Sequence, residues 1–279
     1  MKLVLMGDLH YHEIDEANPG WQEARAVFYQ TMLGRFMDEE GNFHISLGDL
    51  TNFGTAVELQ EVYEYLRRDD RTFIHVLGNH DVYAQTKQEV LEITGGQRYH
   101  AMMTNQAMLI FLDTAREMDL TDWGGWVDEE QLEWLEQMVK ASGTKPLLVF
   151  GHHPVYNTTK RSEKDKGSIH PSIDMWRILS QKEGTGIYFN GHTHVDSIAE
   201  QNNWVFVQVS ACLDQPAFRI IDIGEDSVRI SAVDVEEAGL SDHAATLHDH
   251  MNFFSPTAEA RGTDTEREIV IPLLRTIQS

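Results

Sequence analysis

Five times along this 279-residue chain an apolar run ends in glycine followed by a residue able to bind a metal: Gly7-Asp8, Gly48-Asp49, Gly78-Asn79, Gly151-His152 and Gly191-His192. His10 follows Asp8 by two positions, and His194 follows His192 by two. On extended backbone, side chains two apart share a side, so each pair can address one cation. The set holds two carboxylates, one amide and four imidazoles. Oxygen and nitrogen donors without sulfur suit manganese, iron, zinc, cobalt or nickel and not calcium, which prefers oxygen alone. Seven donors exceed the need of one ion, so two metals sharing a carboxylate is the economical reading.

The runs that end at these turns, Leu3–Met6, His44–Leu47, Phe73–Leu77, Leu147–Phe150 and Ile187–Asn190, read as buried strands. Helices lie between them. Thr55 with Glu58 and Thr86 with Glu89 are capping boxes, and Asp128 with Gln131 is an acidic variant. Leu132, Leu135, Met138 and Val139 fall on one helical face. Weaker patterns predict helices over Trp21 to about Glu40 and Ser172 to about Lys182. Alternating strands and helices make an α/β sheet, whose ligands gather at the carboxyl ends of the strands, where all five turns fall. After His194, runs at Trp204–Val209, Phe218–Ile223 and Val228–Val233 look antiparallel and predict a second sheet packed on the first.

Composition narrows the partners. With 22 basic against 45 acidic residues the formal charge is -23, a field that repels nucleic acids and anionic membranes. No apolar run approaches the ~18 residues of a membrane span. One cysteine, Cys212, excludes a disulfide framework and reads as a small core residue. The first strand follows Met1 directly, without the longer apolar stretch of a secretory signal, so a cytoplasmic location is expected.

The blocks Gly7-Asp8-Leu9-His10, Gly48-Asp49, Gly78-Asn79-His80-Asp81, Gly151-His152-His153-Pro154 and Gly191-His192-Thr193-His194 resemble the five signatures of the calcineurin-like metallophosphoesterase superfamily. The resemblance covers roughly residues 1–235. Within the superfamily, Gly125-Trp126-Val127-Asp128 and Gln131 to Leu135, leading into Gly151-His152-His153-Pro154, are similar to bacterial class III cyclic nucleotide phosphodiesterases. It implies a four-layer αββα sandwich of two mixed sheets flanked by helices, with a catalytic domain over 1–235 and a C-terminal extension over 236–279. That extension either packs on the domain or mediates a homodimer. The resemblance assigns Asp8, His10 and His194 to one metal and Asn79, His152 and His192 to the other, with Asp49 between them. It also implies manganese, iron or zinc as the ions, and makes His80 a non-ligand histidine near the leaving group. Purple acid phosphatases carry a metal-bound tyrosine in the second block, which here reads Gly48-Asp49-Leu50-Thr51-Asn52; that branch is disfavoured.

The implied reaction is attack of a metal-bridging hydroxide on the phosphorus of a small phosphodiester, conceivably a cyclic nucleotide. His80 protonates the departing oxygen, with Asp81 as its orienting partner. Asn52 either binds a phosphate oxygen or closes its turn, and His153 faces substrate. A phosphomonoesterase on the same core is the alternative, and a non-catalytic scaffold a more distant one. The basic stretch within Asn157–His170 reads as a solvated loop. His243, His248 and His250 read as a solvated C-terminal helix, and Trp123-Gly124-Gly125-Trp126 as a structural turn.

Overall fold

The computed structural model describes residues 1–13 and 18–273. Its elements run β1 (Lys2–Met6), α1 (Pro19–Asp38), β2 (Phe43–Ser46), α2 (Ala56–Leu66), β3 (Phe73–His75), α3 (Lys87–Thr94), β4 (His100–Met103), β5 (Met108–Phe111), α4 (Glu129–Ala141), β6 (Leu147–Phe150), α5 (Met175–Leu179), β7 (Gly186–Asn190), β8 (Ser197–Gln201), β9 (Trp204–Gln208), β10 (Ala217–Ile223), β11 (Ser227–Asp234), α6 (Leu240–His248) and β12 (Ile269–Pro272). The strands form two six-stranded sheets, ordered β12-β11-β10-β1-β2-β3 and β4-β5-β6-β7-β9-β8. β1, β2 and β3 are parallel, as are β5, β6, β7 and β9, while the outer strands run antiparallel.

Alternation along each strand builds the layers. In β1, Leu3 and Leu5 face the second sheet, packed with Phe150, Phe189 and Val207, whereas Val4 and Met6 meet Phe28, Met32 and Phe36 of α1. On the far side, Ile110, Val149 and Tyr188 meet Leu132, Leu135 and Val139 of α4. Helix, sheet, sheet, helix is the αββα sandwich expected. Phe111, Phe150 and Phe189 stack across neighbouring strands at 5.1 and 5.0 Å between centroids, tying β5, β6 and β7 together inside the sandwich.

Local signals act where the sequence places them. Thr55 and Thr86 form capping boxes with Glu58 and Glu89, and Asp128 accepts from the Gln131 amide. α1 begins earlier than its apolar pattern, because Asn18 caps it and Pro19 fits the first turn. One expectation is corrected: the runs after His194 do not form a sheet of their own. β9 inserts beside β7, in parallel, whereas β10 and β11 join the sheet of β1. β9 and β10 each find the free edge of an existing parallel core, and β11 pairs on outside β10, which buries more apolar area than a separate hairpin sheet would. β4, β5, β8 and β12 are short and carry no alternation strong enough to mark them.

Register aligns the site. Met6 lies opposite Ser46 and Ser46 opposite His75, so the turns leaving β1, β2 and β3 emerge at one edge. Phe150 lies opposite Phe189, which brings out the turns after β6 and β7 together.

Candidate active site

All five Gly-containing turns converge. His10 (φ 50°), Asp49 (φ 47°), His192 (φ 73°) and His194 (φ 58°) adopt left-handed backbone, a conformation costing on the order of 1–3 kcal/mol per non-glycine residue and concentrated at functional sites. Two of the glycines have a steric cause. A Cβ on Gly78 would lie 2.2 Å from the Asp49 amide nitrogen and Oδ1, and one on Gly191 would lie 2.5 Å from Asp8 Oδ1. Only glycine lets these turns press against the carboxylates.

The imidazoles are oriented from behind. His152 Nδ1 donates to the Leu47 carbonyl (2.9 Å), leaving Nε2 3.1 Å from Asn79 Oδ1, 3.2 Å from Asp49 Oδ2 and 3.2 Å from His192 Nδ1. His192 Nε2 donates to the Lys166 carbonyl (2.8 Å). Two inner nitrogens with outer protons so engaged present lone pairs to one another, which requires a proton or a cation between them. Asn79 Nδ2 donates to the Tyr83 hydroxyl (2.7 Å), which turns its oxygen inward. On the other side, His10 Nε2 and His194 Nε2 face each other at 3.2 Å, with Asp49 Oδ2 3.9 Å from the first and Asp8 Oδ2 3.9 Å from the second. Asp8 Oδ1 and His10 Nδ1 are buried without a hydrogen-bond partner. This donor set fits divalent transition metals on both sides of Asp49.

Charges follow the same geometry. Burial opposes ionisation of Asp49, yet the His152 and His80 imidazoles hold its pKa well below the usual carboxylate range. Burial likewise works against a proton on His152, but the Asp49 carboxylate overrides it and lifts the pKa to about 9. Burial and the neighbouring His152 push His192 down to about 3. Burial raises Asp8 to about 6 against the pull of His152 and His194. One shared proton therefore sits where a cation would sit.

His80 Nδ1 contacts the Asn52 carbonyl at 2.7 Å, which leaves Nε2 4.0 Å from Asp49 Oδ2 at the wall of a cavity. Asp81 does not orient it. That carboxylate accepts from the Thr51 amide and hydroxyl (2.9 and 2.8 Å) and the Gly78 amide (2.9 Å) and meets His75 Nε2 at 3.0 Å, so it holds two of the turns instead. His153 does not face substrate either. Its Nε2 meets the Trp123 carbonyl (2.9 Å) and Nδ1 the Thr114 hydroxyl (2.8 Å), and with both nitrogens engaged it is a structural residue. Asn52 reaches across the fold: its side-chain amide donates to the Asn252 carbonyl (3.0 Å), while Oδ1 is buried without a partner.

Several participants carry no recognisable signature. Asp214 Oδ2 lies 3.5 Å from His194 Nδ1 and backs that ring. The cavity, about 520 Å³, is floored by Asp49, Asn79, His80, His192 and His194. Arg161, Lys164 and Lys166 line its side, so the basic loop is a wall and not merely solvated. Trp123 also lines it, as do Phe253 and Phe254 from the C-terminal segment. His248 is not a solvated residue, since its ring stacks on Phe254 at 5.1 Å. Cys212 is buried, as expected, and burial pushes its thiol pKa up.

The family of calcineurin-like phosphoesterases matches residues 1–196. A probable cyclic nucleotide phosphodiesterase of Rhodopseudomonas palustris is 25% identical over 200 residues, 70% of this chain and 72% of that protein. A 3',5'-cyclic-nucleotide phosphodiesterase of Nostoc is 22% identical over 157 residues, 56% of this chain and 57% of its own length. In three dimensions the chain is similar to a dimetal phosphatase from Danio rerio, with a TM-score of 0.70 at 16% identity over 85% of this chain and 96% of that one. Among the described residues no helix is long and apolar enough to cross a membrane. With five converging turns and a matching profile over most of its length, the chain belongs to the calcineurin-like phosphoesterase family and is a metal-dependent phosphoester hydrolase.

Proposed function

We propose that the protein hydrolyses small phosphodiesters at a two-metal centre. The observation that carries this reading is the placement of Asp49 Oδ2 between two facing pairs of imidazole nitrogens, each pair 3.2 Å apart. Asp8, His10 and His194 would hold one ion, Asn79, His152 and His192 the other, and Asp49 both. Manganese, iron and zinc fit these donors. Two divalent ions, when bound, supply Lewis-acid charge that lowers the pKa of water and neutralises phosphoryl oxygens.

The chain's own residues do the rest. Backbone carbonyls at Leu47 and Lys166 orient the rings of His152 and His192, so the nitrogens that would face metal point inward before any ion arrives. The Asn52 carbonyl fixes the ring of His80 and aims its Nε2 into the cavity, from where it would reach the departing oxygen. The cavity is of a size that encloses a small ligand and extends beyond the ligand cluster to Trp123 and Phe253, leaving room for a second ester group. The names of the relatives from Rhodopseudomonas palustris and Nostoc favour a cyclic diester.

The test is turnover of bis-p-nitrophenyl phosphate, 3',5'-cyclic AMP and p-nitrophenyl phosphate after reconstitution with manganese, zinc or iron. Preference for the diesters supports the reading; preference for the monoester replaces it with a phosphomonoesterase.

A further inference from the structure

Among the described residues, few large apolar side chains are strongly exposed, and three of them, Leu120 (47%), Trp123 (44%) and Phe253 (59%), line the one cavity that contains the metal-competent cluster. An apolar patch rimmed by charge and continuous with a polar floor is the form of a ligand site.

Phe253 is the most unusual of the three. Its backbone is left-handed, with φ 66°, a conformation that a bulky residue adopts at a cost and that persists only where neighbours impose it. The neighbours are on either side. Asn252 offers its carbonyl to Asn52 Nδ2 at 3.0 Å, and Phe254 is buried with its ring against His194, His10 and His248 at 5.1, 4.9 and 5.1 Å. The tip of the C-terminal segment is therefore pinned before and after Phe253, which leaves that ring standing in the cavity. Its contacts within the chain are partial, with Phe53 at 5.1 Å and Tyr83 at 6.3 Å between centroids. Trp123 is already engaged by the Lys166 ammonium, 4.1 Å from its ring centroid.

We infer that Phe253 is a specificity-determining residue that stacks on a planar aromatic group of the substrate. The substrate class is then a phosphoester carrying either a nucleobase or an aryl group, and the selecting residue lies outside residues 1–196, which match the family. The inference rests on the proposed two-metal site and adds to it what occupies the other end of the cavity. Stacking of this kind gains affinity from the ring while the phosphate stays on the floor residues.

The test is calorimetric binding to manganese-reconstituted full-length protein, which needs no turnover. Two ligand pairs isolate the ring: AMP against ribose 5-phosphate, and phenyl phosphate against methyl phosphate. Wild type should bind the ring-bearing member of at least one pair about tenfold more tightly, and the pair affected tells a nucleobase from an aryl group. Phe253→Ala should erase that preference, and Phe253→Tyr should keep it. Phe253→Gly should erase it while raising the midpoint of thermal unfolding, because glycine accepts φ 66° freely. A wild type indifferent to the ring in both pairs, or a preference that survives both Phe253→Ala and Phe253→Gly, overturns the inference. Failure of the two-metal reading shows separately, as phosphate ligands whose binding does not depend on manganese.

Discussion

Phe254 stands between His194 and His248, its ring 5.1 Å from each, and Asp214 closes the same triangle at 3.5 Å from His194 Nδ1 and 3.9 Å from His248 Nε2. A residue of the last family motif is thus held in place by residues far beyond it in sequence. An imidazole oriented by a carboxylate is a better metal ligand, because its tautomer and ring plane are fixed. Asp214→Asn should weaken metal binding about 10- to 100-fold at one of the two proposed sites while leaving the other intact. Stepwise manganese titration followed by metal analysis reads this directly. Two sites weakened equally would mean that Asp214 acts on the fold and not on His194.

The facing nitrogens of His152 and His192 predict a second outcome. A cation held between them takes the place of the His152 proton and binds the folded chain alone, so chelation should lower the thermal midpoint by several degrees, the effect of a ligand held at ~100 times its dissociation constant. Asp49→Asn should shrink this metal-dependent increment, since Asp49 Oδ2 reaches both imidazole pairs. Equal increments in wild type and variant would remove Asp49 from the metal centre.

Protonation gives a third. His152 has its pKa raised from 6.5 to about 9 by the Asp49 carboxylate despite burial. In metal-free protein its contribution to stability is therefore complete below about pH 6.5 and is lost as pH rises through 9. Metal binding must displace that same proton, so affinity should move the opposite way, rising about tenfold per pH unit between 6.5 and 9 and levelling above it. Manganese titration in non-coordinating buffers across this range is the check. A flat profile would show that His152 is not a ligand.

The parts of this molecule that speak through the sequence are those dictated by local rules. Glycine is required at position 78, where a Cβ would lie 2.2 Å from Asp49, so the spacing of each motif is a steric record of the site. Thr55 and Thr86 announce helices because a capping box is closed within four residues. Asp214, Tyr83 and Phe253 were silent for the opposite reason: each acts across the fold on a residue distant in sequence or by standing in a cavity, and no local pattern encodes that. Asp81 and His153 misled for a related reason. Being next to a functional residue in a motif says nothing about where a side chain turns, and both turn away, Asp81 to Thr51, Gly78 and His75 and His153 to Thr114 and Trp123.

His80 yields the sharpest test of mechanism. Its Nδ1 is engaged by the Asn52 carbonyl at 2.7 Å, and its Nε2 faces the cavity beside Asp49. If that nitrogen protonates the leaving oxygen, its value depends on how badly the leaving group needs a proton. An alkoxide, as from 3',5'-cyclic AMP, needs one; p-nitrophenolate is stable without it. His80→Ala should therefore reduce kcat on the cyclic diester about 10²- to 10⁴-fold and reduce it far less on bis-p-nitrophenyl phosphate, with metal content unchanged. Losses of the same size on both substrates would assign His80 to charge stabilisation or to positioning of Asp49, whose Oδ1 already accepts the His80 backbone amide at 2.9 Å. The leaving-group dependence separates these roles because only proton donation is sensitive to the basicity of the departing oxygen.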